Sequence, residues 1–229
     1  MAEQRQIAAS AEGFVQGIVN LLAHKYVYWS SGEVAEGQDA EAVDRTLARK
    51  FETEITRWER ARRRKLGRGS VRYLRFENTF VLLAQPGSDR WTDGEPWKDA
   101  RRRAIWFRGY VISYRLSTVT GRYHASVGID PVEYQRLKAW MLELATHRSV
   151  ENMRRELQRL PFEPYARVRR QYLNILREVN RRRRAAGFEL VPNTAVRLHR
   201  RRPRVYAESA ESFEKDIKRQ LELIQRLAS

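Results

Sequence analysis

The spacing of apolar residues predicts an α+β fold, with a mostly antiparallel sheet and packed helices in the N-terminal part and a helical, Arg-rich C-terminal part. Three observations carry this. β-prone runs at 71–76 and 79–83, and again at 104–115 and 123–129, are joined by short turn segments, which suit antiparallel pairing. Two stretches near the start have apolar residues at helical spacing, and from residue 130 onward that spacing dominates. The 229 residues are 42% hydrophobic and 10% aromatic, enough to fill a core.

Residues 4–24 are expected to form the first helix, with Ile7, Phe14, Ile18, Leu21 and Leu22 on one side and Gly13 and Gly17 weakening it. Tyr26-Val27-Tyr28-Trp29 is the first strand, punctuated by Ser30-Ser31-Gly32. Asp39 then caps one long helix in which Val43, Leu47, Phe51, Ile55 and Trp58 recur every three or four residues. Its acids, Glu41 and Asp44, stand in the first turn. Its bases, Arg60, Arg62, Arg63, Arg64 and Lys65, stand at the end, as the helix dipole favours, and Gly67 and Gly69 close it.

Residues 71–76 and 79–83 read as a hairpin about Glu77-Asn78. A loop over 86–98 carries Trp91 and Trp97 and leaves through Arg101-Arg102-Arg103. Residues 104–115 are expected as a single strand, with Trp106, Arg108, Tyr110, Ile112 and Tyr114 on one face, paired with 123–129. Asp130-Pro131-Val132-Glu133 has a cap, a proline at the first helical position and an acid at the third, and it opens a helix to about residue 147. Its buried stripe is Leu137, Trp140, Met141 and Leu144. Ser149 caps a shorter helix containing Val150, Met153, Leu157 and Leu160. After Pro161 and Pro164 comes a long helix with the stripe Tyr165, Val168, Tyr172, Leu176 and Val179, ended by Gly187. Residues 191–204 are expected extended, and 209–227 a last amphipathic helix. Residues 1–147 form an α+β domain on this reading, and 148–229 a helical basic region, separate or in one composite domain with it.

Composition removes several function classes. Without cysteine there is no disulfide, no thiolate catalysis, no Cys-ligated zinc and no iron–sulfur cluster. No apolar run approaches the ~20 residues of a membrane span. The N-terminus lacks the basic-then-apolar order of a secretory signal, so a cytoplasmic protein without membrane association is expected. His24, His124, His147 and His199 show no metal-ligand spacing, and Walker or Rossmann glycine loops are absent. No cofactor is expected.

Charge is unevenly spread. Residues 1–56 hold five bases and nine acids (−4), residues 57–204 thirty-six and fourteen (+22), and residues 205–229 four and five (−1). Residues 161–204 alone carry thirteen bases against three acids. Such a block repels itself unless a polyanion neutralises it, which points to nucleic acid, DNA or RNA. The expected phosphate contacts are Arg62, Arg63, Arg64 and Lys65; Arg101, Arg102 and Arg103; and Arg167, Arg170, Arg177, Arg181, Arg182, Arg183 and Arg184. Arg200, Arg201 and Arg202 join them, with Trp91 as a stacking residue. A binder without enzymatic chemistry, serving a mobile element, replication or an RNA–protein complex, is the expected function.

The alternative is an enzyme. Glu33, Glu36, Asp39, Glu41 and Asp44 could gather around Mg²⁺ as in a metal-dependent nuclease, and Tyr134 could serve a single-tyrosine nickase. Arg108-Gly109-Tyr110-Val111-Ile112-Ser113-Tyr114 resembles the strand signature of RNA-recognition motifs, one residue short. The order of elements over residues 26–145, with Tyr134 on a helix, is similar to the single-tyrosine His-hydrophobic-His transposase and replication-initiator domains. Thr79 and Val81 occupy the two His positions here, so that resemblance implies a binder without nicking chemistry.

Overall fold

The fold, an α+β arrangement of antiparallel strands and helices, is seen in a computed structural model that describes residues 6–87, 97–160, 165–196 and 203–206. The chain divides into two compact units, Met1–Trp97 with Pro203–Ser229, and Lys98–Arg202. The division thus falls after Trp97 and not near residue 147. Among the described residues no helix is long and apolar enough to cross a membrane.

In the first unit helix α1 (Ala11–Ala23) starts where the Ser10 hydroxyl accepts the Gly13 N–H at 3.0 Å. It begins later than apolar spacing alone predicts because residues 6–8 run extended: Arg75 N–H donates to the Gln6 carbonyl and Ala8 N–H to the Arg75 carbonyl. Gly17 admits a close approach, since a Cβ there would lie 2.5 Å from Leu74 Cδ2. Strand β1 (Tyr28–Glu33) runs through Ser30-Ser31-Gly32, because Gly32 leaves room for the Phe80 ring to cross it. Strands β2 (Val71–Phe76) and β3 (Thr79–Ala84) form the expected hairpin, and β3 lies antiparallel between β2 and β1.

The expected single helix after Asp39 is two. Helix α2 (Ala40–Phe51) stops at Glu52, which takes a left-handed conformation (φ 48°), and Thr56 caps a new helix, α3 (Arg57–Lys65). The break swings Trp58 out to 85% exposure, so the apolar repeat that joined it to Phe51 was accidental. Phe51, Val71, Tyr73, Leu82 and Ala84 form a buried cluster beside Trp97, whose ring meets Phe51 edge-on at 5.9 Å.

The second unit holds β4 (Lys98–Asp99), β5 (Ile105–Phe107), β6 (Tyr110–Leu116), β7 (Tyr123–Ile129), α4 (Pro131–Leu144), α5 (Val150–Arg159), α6 (Ala166–Ala185) and a 3-10 turn at Asn193–Ala195. The turn replaces part of the expected extended segment. What the sequence suggested as one strand over 104–115 is a hairpin: Arg108 (φ 44°) and Gly109 (φ 77°) are both left-handed, as a tight two-residue turn demands. The turn resets the alternation. Ile105 and Phe107 share a face with Tyr110, Ile112 and Tyr114, while Trp106 goes with Val111, Ser113 and Arg115.

Asp130 caps α4 as expected, accepting from Val132 and Glu133 N–H, and Ser149 caps α5. Of the α4 stripe only Met141 is fully buried, and Trp140 keeps 38% exposure. Helix α6 packs against β7 and α4. The Gln171 side-chain amide exchanges two hydrogen bonds with the Ile129 backbone (2.9 and 3.0 Å), supplying edge strand β7 with the partners a further strand would give. Expectations for residues 209–227 lie outside the described residues.

Candidate nucleic-acid interface

Helix α6 buries Val168, Tyr172, Ile175, Leu176 and Val179 on one side. At ~100° per residue, Arg170, Arg177, Arg181 and Arg184 fall within an arc of about 60° on the opposite side. All four are exposed. Between the first and last of them the ridge runs about 21 Å along the helix at 1.5 Å per residue. Arg181 pairs with Glu178, an exposed contact of small energy that a phosphate can replace. Arg182 is also exposed but projects to one side of the ridge.

Arg183 corrects the expectation that the whole run 181–184 faces a ligand. Only 1% exposed, it donates from Nη1 to the carbonyls of Ala145 (2.7 Å) and Arg148 (2.8 Å) and from Nε to that of Glu189 (2.5 Å). Its guanidinium fastens the ends of α4 and α6 from inside. Arg63 is half-buried: it donates to Glu52 at 2.7 Å and Glu59 at 2.9 Å and so ties α3 to the end of α2. Those two carboxylates hold its pKa above the ordinary arginine value, against the effect of burial. Arg101 is engaged by the Asp99 carboxylate at 2.7–3.0 Å. Burial would push Asp99 up, but the hydrogen bonds and charge of Arg101, with the charge of Arg102, hold it below its usual value. Arg62, Arg64, Lys65, Arg102 and Arg103 are exposed as expected. Trp91 and Arg200–Arg202 lie outside the described residues.

Arg167 is half-buried and differs from the ridge. Its side chain crosses Gly128 of β7 so closely that a Cβ at Gly128 would stand 2.6 Å from Cδ and Nε and 3.0 Å from Cζ. Its Nη1 is buried without a hydrogen-bond partner. Burial, and after it the positive charge of Arg115, holds the Arg167 pKa below the ordinary arginine value.

Two carboxylates of the enzymatic alternative, Asp39 and Asp44, have structural partners. Asp44 accepts from Tyr73 (2.5 Å) and from Arg75 Nε and Nη2 (2.7–3.0 Å), and Asp39 caps α2. Asp44 and Glu41 line a cleft of about 610 Å³ together with Gln6, Arg45, Arg49 and Glu54. Among the described residues no three histidine or acidic side chains stand together as a metal site. Tyr134 is half-buried, and burial, followed by the charge of Glu178, raises its pKa, which disfavours the phenolate a nucleophile needs. In the segment that resembles an RNA-recognition strand, Tyr110, Ile112 and Tyr114 share one face, and the strand buries Ile112 and Tyr114 on it and Val111 and Ser113 on the other.

The second unit holds twenty-five bases against nine acids, +16 of the chain's +17, and the first holds twenty against nineteen. Compared with protein-family models, curated proteins and solved structures, the chain has no significant match.

Proposed function

We propose that this protein binds nucleic acid through the phosphate backbone, using the exposed arginine ridge of α6. The observation that carries the reading is the ridge: Arg170, Arg177, Arg181 and Arg184 in register on the side opposite the buried stripe of a twenty-residue helix. Four guanidinium groups in a line can follow a phosphate track and make bidentate contacts. Concentration of the net charge in the same unit supports it, because that field draws in a polyanion from a distance. A cysteine-free chain of this kind suits a reducing, cytoplasmic setting. Binding without chemistry is favoured over nuclease or nickase activity by the engagement of Asp44 and the raised pKa of Tyr134.

The test is binding to labelled DNA and RNA over a range of salt concentrations. The variant with Arg170, Arg177, Arg181 and Arg184 changed to Gln is expected to keep its fold, because these side chains are exposed. It should lose affinity and flatten the log–log salt slope by ~0.7–0.9 for each phosphate contact removed. Changing Arg62, Arg64 and Lys65 to Gln should have the smaller effect. A folded ridge variant that retains the parent's slope overturns the proposal.

A further inference from the structure

The sheet face that carries Trp106 has features the ridge does not explain. Register places Trp106 opposite Val111 and Val111 opposite Gly128, the residue crossed by Arg167. The next rows on that face are Ser113 with Ser126 and Arg115 with His124. Trp106 is 60% exposed although it lies on a strand, where a large apolar side chain is ordinarily covered. Arg115 is exposed, folds back so that Nε donates to Ser113 Oγ at 3.0 Å, and has no carboxylate partner among the described residues. Arg167 has none either, with Nη1 unsatisfied, and Gly128 is the only residue type that leaves room for it. Arg115, folded back toward Ser113, adds positive charge to the surroundings of Arg167, and an anion shared by the two relieves that repulsion.

We propose that this face binds one unpaired nucleotide of a single-stranded nucleic acid, Trp106 stacking on the base and Arg115 with Arg167 taking the adjoining phosphate. The inference rests on the nucleic-acid reading above and narrows it to a strand form. Neighbouring strands lie ~4.8 Å apart, so Trp106 and the guanidinium seated on Gly128 are separated by about two strand spacings, comparable with the reach of one nucleotide. The exposed Trp106 ring can stack only on a base that is not already paired and stacked in a duplex. The ridge accepts either form, and the Trp106 face discriminates between them.

The test compares a labelled single strand of about twelve nucleotides, within the usual size of single-strand sites, with the duplex of the same sequence. The parent should favour the single strand. Trp106→Ala should weaken single-strand binding roughly 5- to 100-fold, the ordinary loss for one stacked base, and leave duplex binding unchanged, with Trp106→Phe restoring most of it. Gly128→Ala, which displaces Arg167, and the exposed Arg115→Gln should each flatten the single-strand salt slope by ~0.7, one phosphate contact. Unchanged single-strand binding in Trp106→Ala and Arg115→Gln overturns the inference, while loss of binding in the ridge variant leaves the broader function standing. A parent that binds neither form overturns both.

Discussion

Arg183 and Arg181 are two residues apart in a run of four arginines, yet one is a ligand candidate and the other a structural pin. Composition could not separate them; the position of each around the helix did. Arg183→Met should destabilise the protein by about 3 kcal/mol, since it leaves the Ala145 and Arg148 carbonyls unpaired in the interior. Urea unfolding measures this. Tyr73 offers a second test. Burial, and after it the hydrogen bond and charge of Asp44, raises its pKa well above the usual tyrosine value. A raised folded-state pKa gives a contribution that is complete below the unfolded pKa, ~10, and is lost as pH rises above it. Tyr73→Phe should therefore lose about 2 kcal/mol at neutral pH, and its deficit against the parent should shrink by up to ~1.4 kcal/mol per pH unit above pH 10. Denaturant midpoints between pH 8 and 11 check the sign; a deficit independent of pH contradicts it.

At the scale of elements, the β5–β6 hairpin decides which aromatic faces solvent. A single strand would have set Trp106 on the face of Tyr110 and Tyr114; the two-residue turn sets it opposite Val111, on the face of Ser113 and Arg115. The clue was present as Arg108-Gly109 between two apolar runs, but Arg is an uncommon first turn residue, because a left-handed conformation disfavours its Cβ. Gly109→Ala forces a second side chain into that conformation and should cost about 1–2 kcal/mol, read as a lower melting temperature. The α2–α3 break had a legible half, Thr56 as a cap with Glu59 three residues on, and an illegible half, Glu52 in a left-handed conformation held by Arg63. Caps and turn glycines are local and show in sequence. A stop imposed by an ion pair eleven residues away does not.

For the whole molecule, charge divides with the structure. The first unit is nearly balanced, and the second carries almost the entire surplus. A fragment spanning 98–202 should fold alone, with helical circular dichroism and a cooperative melt, and should keep most of the parent's salt-dependent binding. Loss of that binding from a folded fragment would place the phosphate contacts in the other unit. In the full protein, added oligonucleotide should raise the melting temperature by mass action, with the gain fading as salt rises.

Local patterns in the sequence by themselves determined the α+β class, the β2–β3 hairpin, the Asp130 and Ser149 caps and the buried stripe of α6, because each rests on spacing and capping chemistry within a few residues. The basic surplus was equally plain, being a matter of counting. Only tertiary structure decided which arginines are available. Arg183 is taken inside by carbonyls as many as thirty-eight residues away, and Arg63 is tied to Glu52 eleven residues back. It also brought Arg167 across Gly128 and into the field of Arg115, since strand register and helix packing join residues that no linear spacing relates.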